Sequence, residues 1–364
     1  MRAVVLLAAG LACTTAQAQQ DYPSKPIRLI VPFAEVDAPG LVSRRPVRGT
    51  GARAAGFYRI ADTTSQSYPS KPIRLIVPFA PGGGTDVVAR LLAQKLTAAF
   101  GQTVIVDNRA GGGGTMGAET AVRAIPDGYT TIIMSGSYAT NAAMYKLPYD
   151  PVNDIVPMGL IGDTSFLLAL HPAVPIKNVG ELVAFAKAKP GALNYGSSGT
   201  GGIAHLSGEL FDLLAGTQMT HVAYKGTGPA LNDLLGGQIQ LIFGSAPSTM
   251  PLVRANRLRA IAVTTTKRSS ALPDLPTVAE AGVPGYEVVL WYGVLGPKGL
   301  PNTLVARWNA EIRKATKLPD MKERLMSEGF EIDDSPPAVF QALLKRDVAK
   351  WTRVVKEAKV KAVP

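Results

Sequence analysis

Three times in this 364-residue chain an apolar run breaks into a glycine-rich loop and then into a helical pattern. The loops are Pro81–Asp86, Asn108–Gly117 and Tyr195–Gly202. A strand that feeds a helix through a tight loop is half of a βαβ unit. Repetition of that unit demands parallel strands covered by helices. The glycines also let a ligand approach the backbone, at the end of a helix that offers free N–H groups and a partial positive charge. Together these make anion sites that need no charged side chain.

Two segments stand outside this pattern. Met1-Arg2, the apolar stretch Ala3–Ala12 and Ala16-Gln17-Ala18 read as an export signal cleaved after Ala18. The single cysteine, Cys13, falls inside it, so the mature chain has no thiol and no disulfide framework. The segment Tyr22–Ala34 then recurs letter for letter as Tyr68–Ala80, 46 residues later. Only one copy can fill one strand position. The second keeps the glycine loop, so the working chain is read as 68–364. Between the copies, Glu35–Ser67 has five arginines, no lysine and no sustained apolar period, and reads as a poorly ordered insert.

In the working chain, strands are expected at Ile73–Phe79, Thr103–Val106, Tyr129–Met134, Leu193–Tyr195, Thr220–Ala223, Ile239–Phe243, Leu258–Thr264 and Glu287–Leu295. Longer strands with short loops are expected around Ile155–Leu170. Helices are expected at Asp86–Phe100, Ala118–Ala124, Val179–Lys187, His205–Leu214, Pro229–Leu235, Thr277–Ala281, Thr303–Thr316 and Ala338–Ala358. The order implies two α/β units. The second, 166–285, is inserted into a first made of 68–165 and 286–364. Two lobes joined by crossovers form a cleft, where ligands bind.

Several chemistries are poorly served. Gly112-x-Gly114-x-x-Gly117 has the letters of a dinucleotide fingerprint, but Ser135 stands where the next strand should end in an acid. No glycine loop ends in Gly-Lys-Ser/Thr, and Gly196-Ser-Ser-Gly-Thr200 lacks the last glycine of a nucleophile elbow. A serine hydrolase would need Ser197 or Ser198 with His205 as base, an awkward spacing with no orienting acid. The three histidines (His171, His205, His221) have no paired spacing for a metal. The net charge of +11 is diffuse and lacks interleaved aromatics, unlike a nucleic-acid surface. His205 either touches a ligand or packs within its lobe. Lys225 either reaches an acidic ligand or is solvated. Trp291-Tyr292 reads as core.

The chain resembles one family through Lys71–Asp86, Asn108–Gly117, Pro126–Tyr129, Leu147–Pro151, Tyr195–Gly201 with His205, and His221–Gly226. These motifs, in this order, are similar to the tripartite tricarboxylate transporter receptors, the Bug-type periplasmic solute-binding proteins. The resemblance spans about 68 to 360. It implies a two-lobed, type II-like Venus flytrap with parallel-rich sheets and a hinge. It further implies a periplasmic, monomeric, cofactor-free receptor, not an enzyme, that hands a small carboxylate to integral-membrane permease subunits. A ligand-sensing role beside a signalling partner is the alternative. The motifs carry the ligand to Gly82, Gly83, Gly84, Thr85 and Asp86 in one jaw and Ser197, Ser198, Gly199, Thr200, Gly201 and His205 in the other. Ser135, Ser137 and Thr140 are expected at a strand end near the cleft, with Tyr224 and Gly226 at its border. Many relatives carry Asp after the strand 241–243, where this chain has Gly244 and Ser245.

Overall fold

The computed structural model describes residues 68–357, 360 and 361. The export signal, Cys13, the first strand copy and the insert lie outside the described residues.

The second copy of the repeat forms β1 (Ile73–Val77), a run with both faces buried. It is central: β2 (Val104–Asn108) and β3 (Thr130–Ser135) flank it, both parallel. Helix α1 (Gly84–Phe100) joins β1 to β2. It buries Val88, Leu92, Leu96 and Phe100 on one stripe, and Gly101 ends it in the left-handed region. Helix α2 (Thr115–Val122) joins β2 to β3, and α3 (Ser137–Met144) follows β3. Strand β4 (Ile155–Thr164) closes this part of the chain.

After a single residue, Ser165, the chain enters a second sheet as β5 (Phe166–Leu170). Then follow α4 (Val179–Ala188), β6 (Asn194–Ser197), α5 (Ile203–Ala215), β7 (Thr220–Ala223) and α6 (Thr227–Leu235). Strand β8 (Leu241–Ser245), α7 (Ala246–Arg254) and β9 (Arg259–Val263) complete that sheet, in the order β7-β6-β8-β5-β9. The chain returns as β10 (Leu290–Pro297), α8 (Asn302–Lys317), α9 (Pro319–Ser327), β11 (Glu331–Ile332) and α10 (Pro337–Glu357). The first sheet has the order β11-β4-β10-β3-β1-β2.

Both sheets are mixed. β6 runs parallel to β7 and β8, as β1 does to β2 and β3. The strands nearest the crossovers pair antiparallel: β10 with β3 and β4, and β5 with β8 and β9. A chain that leaves one sheet and later returns places its outgoing and incoming strands side by side in opposite directions. The result is the two-lobed α/β fold, with β4 leading straight into β5 at the junction.

Most expected elements lie within a few residues of their place. Thr277–Ala281 is not a helix: Thr277 makes an isolated bridge to Val263, and a turn follows. Five residues with one proline entry are too few to offset the nucleation cost of a helix. Helices α3, α7 and α9 were not expected. Pro247 and Pro251 interrupt the pattern of α7, yet Pro247 occupies its first turn, where no N–H is needed.

Trp308 ties the start of the working chain to α8. It is fully buried, packs on Phe100 at 5.0 Å between ring centroids with the planes tilted by 59°, and donates from Nε1 to Tyr68 Oη at 2.8 Å. Tyr68 in turn donates to the Gly128 carbonyl at 2.7 Å. Trp308→Ala is expected to cost about 3–5 kcal/mol of unfolding free energy in a denaturant titration. A loss under about 1 kcal/mol would show that this anchor is dispensable.

Candidate functional site

Parallel strands of both lobes end at one narrow cleft. The helices that follow them therefore start there. Gly83, Gly84 and Thr85 at the start of α1, Ser137 on α3, Ile203 on α5, Thr227 on α6 and Ser245 before α7 all line the cleft. Five helix N-termini thus converge from two lobes. Four have a glycine at the cap position and one has Ser245, and at none does the cap side chain accept from the helix. Helix α4, which points elsewhere, is capped in the ordinary way: Asn178 Oδ1 accepts from the Glu181 N–H at 2.8 Å. Each N-terminus carries roughly half a positive charge.

No lining side chain is ionisable at neutral pH. Hydroxyls come from Thr85, Ser135, Ser137, Ser198, Thr227, Ser245 and Tyr292, and apolar surface from Phe79, Phe166, Ile203 and Leu290. Charge near the cleft is neutralised locally. Asp86 is buried on α1 and accepts from the Gly82 N–H at 3.1 Å, from Arg90 at 2.9 Å and from Asn108 at 3.0 Å. Burial works against its charge, but Arg90, Asn108 and the Gly82 N–H outweigh it and hold the carboxyl below its usual range. Asp86 thus braces the first loop and stays out of the lining.

The other expected residues divide in the same way. Gly83, Gly84, Thr85, Ser135, Ser137 and Ser198 face the cleft. Ser137 and Thr140 sit on α3, not at a strand end. Thr140 is buried and donates to the Ser137 carbonyl at 3.1 Å. Gly82 turns the chain before α1 at φ 87°. Ser197 is fully buried, with Oγ 2.6 Å from His221 Nε2. His205 accepts at Nδ1 from the Gly201 N–H at 3.2 Å, and its ring lies 3.9 Å from that of His221. Both imidazoles thus shape the third loop from behind. Neither pairs with the lining hydroxyl of Ser198 among the described hydrogen bonds. The Tyr224 hydroxyl turns away to Asp233 at 2.7 Å, while Gly226 caps α6.

Gly199, Thr200, Gly201 and Gly226 instead bring the lobes together. The Thr200 carbonyl accepts from Tyr145 at 2.8 Å, and the Ala80 N–H donates to the Lys225 carbonyl at 2.8 Å. Ser137 Oγ accepts from the Ile203 N–H at 3.2 Å. Glycine is required where backbones nearly touch. A methyl group on Gly228 would collide with the Pro81 carbonyl oxygen, and one on Gly84 with Ser245 Oγ and Tyr292 Oη.

Phe79, Phe166, Ile203, Thr227, Ser245, Leu290 and Tyr292 line the cleft without having been expected there. Thr227 and Ser245 had a readable signal, since each stands where a strand or glycine loop meets a helix. Tyr292 is buried like a core residue, with Phe330 on one side at 5.3 Å, yet its hydroxyl reaches the lining.

Gly228 lies in the first turn of α6 and outside the left-handed region, so alanine fits the helix and each lobe keeps its fold. It is expected to wedge the jaws apart, seen as a longer distance between spin labels on the two lobes than in wild type. An unchanged distance distribution would refute the close packing.

Burial, with His205 beside it, pushes the His221 imidazole down to about 3 despite Glu209. The unfolded chain takes a proton near 6.5, the folded one only near 3. Stability is then complete above the unfolded value and falls as pH drops through that window. His221→Gln is expected to flatten this decline in urea titrations between about pH 7 and 4. A slope equal to wild type would remove His221 as its source.

Residues 88–360 match the model of the tripartite tricarboxylate transporter family receptor. Protein BugT of Bordetella pertussis is 34% identical over 284 residues, covering 77% of this chain and 87% of BugT. The solved structure of Rpa4515 from R. palustris with adipate has 37% identity and a TM-score of 0.78, covering 81% of this chain and 100% of that one. MatC from Rhodopseudomonas palustris with bound malate has 31% identity and a TM-score of 0.76, covering 79% and 100%.

Proposed function

This chain belongs to the tripartite tricarboxylate transporter receptor family, and on that premise we propose that it is a solute receptor which closes its two lobes around a small carboxylate. The convergence of five uncapped helix N-termini on an uncharged cleft carries the reading. A carboxylate there accepts charge-assisted hydrogen bonds from backbone N–H groups and hydroxyls, each contributing about 1.5–3 kcal/mol. The apolar wall suits a short carbon skeleton. Adipate and malate in two similar structures point to dicarboxylates as the first solutes to try.

Residues 68–165 with 286–364 are read as one lobe and 166–285 as the other, hinged at the crossovers near residues 165 and 285. A solute that touches both lobes favours the closed arrangement by its differential affinity, and only by that amount. The closed form then docks on integral-membrane permease subunits. The receptor acts as a periplasmic monomer, freed of its signal after Ala18, and turns over no substrate. The ligand contacts are Gly83, Gly84, Thr85, Ser135, Ser137 and Ser198 with Thr227, Ser245 and Tyr292. The remaining glycines of both jaws position them.

Calorimetry and thermal shift with a panel of di- and tricarboxylates, aromatic acids and acidic amino acids test this reading. At least one acid is expected to raise the melting temperature and to bind with one-to-one stoichiometry. A folded protein that responds to none of them would overturn it.

A further inference from the structure

Helix α10 packs one face against its lobe through Phe340, Leu344, Trp351 and Val355. At about 100° per residue, Lys345, Arg346, Lys350, Arg353 and Lys356 fall on the opposite face, in a stripe about 17 Å long. Four of the five are exposed, and Lys350 is half-buried with Nζ 5.7 Å from the Trp351 ring. Charge on this face is hardly balanced. Glu357 lies 4.0 Å from Arg353 at the far end, and Asp347 is turned to the flank, where it accepts from Trp291 Nε1 at 2.8 Å. Helix α8 shows the ordinary arrangement, with Lys314 on Glu311 at 2.9 Å and Lys317 on Asp334 at 2.6 Å. Lys345, Arg346, Lys350 and Lys356 have no such partner among the described residues.

The side chains between the cations are small: Ala342, Ala349 and Thr352, all exposed. A protein partner is normally held by several aromatic or aliphatic anchors in pockets, and this face offers only Val339, near the start of the helix. Its attraction is mainly charge, spread over a broad face along the helix. That chemistry suits a flat, dense array of anions. We propose that the outer face of α10 rests on an anionic phospholipid surface, bringing the receptor to the membrane independently of its solute. Each cation near such a surface adds to the attraction, and the effect fades within a Debye length.

The test is sedimentation of the purified protein with vesicles of phosphatidylcholine, with and without phosphatidylglycerol, at low and raised salt. Wild type is expected to pellet with the anionic vesicles only, and to be released by salt. Lys345→Glu, Arg346→Glu, Arg353→Glu and Lys356→Glu together are expected to weaken binding at least about tenfold. A control variant reverses four lysines elsewhere: Lys146→Glu, Lys187→Glu, Lys267→Glu and Lys322→Glu. It has the same net charge and is expected to retain most of the binding. Equal wild-type pelleting with neutral and anionic vesicles would overturn the proposal. So would equal loss in the two variants, which would make net charge the cause. Binding to solubilised permease with none to vesicles would also overturn it, assigning the face to an acidic protein surface.

Discussion

An anion can be held out of water without a cation only if fixed dipoles replace its hydration from several sides. That requirement organises this molecule. Parallel strands must end at a common edge, so that the helices after them begin together. Two lobes are needed to surround the ligand. The cap residues should not occupy these N–H groups with their own side chains, which fits glycine at the start of α1, α3, α5 and α6. Acids nearby must be neutralised, as Arg90 and Asn108 do for Asp86.

Closure adds a second demand. Dipoles act over short range, so the jaws must come within hydrogen-bonding distance of one another. Backbone then meets backbone, at Ala80 with Lys225 and at Gly228 with Pro81. A side chain at Gly228 would keep the lobes apart. Several glycines of the motifs thus serve the fit of lobe to lobe and need not touch solute. The histidines serve the third loop in the same indirect manner, His221 through Ser197 and His205 through Gly201. Their burial leaves His221 hard to protonate, which links the shape of one jaw to pH.

Much of this was legible in the residues. The βα rhythm, the inserted second unit and the glycine loops follow from apolar periodicity and turn chemistry, which are local. The first jaw was readable because its loop directly follows an apolar strand. Other contributors were hidden for physical reasons. Helix α7 itself contains two prolines and little apolar period, so it was not expected, although Ser245 stands at a readable strand end. Phe166 and Leu290 look like any buried strand residue, since sequence does not say which end of a strand is open to a cleft. Tyr292 is buried in core and lining at once.

By itself, the sequence determined the α/β class and the order of the units, and its glycine loops pointed to an anion held by backbone. Those depend on period, glycine placement and helix ends, all local to a dozen residues. The repeated segment was equally plain, and so was the rule that one copy fills one strand. Only the tertiary structure decided which glycines line the cleft and which meet the other lobe. It also turned Asp86, Ser197 and His205 into supports. Those outcomes depend on contacts between residues such as Gly113 and Thr200, or Gly84 and Ser245, that are far apart in the chain. Such contacts exist only once two sheets have been brought together across the crossover at Ser165.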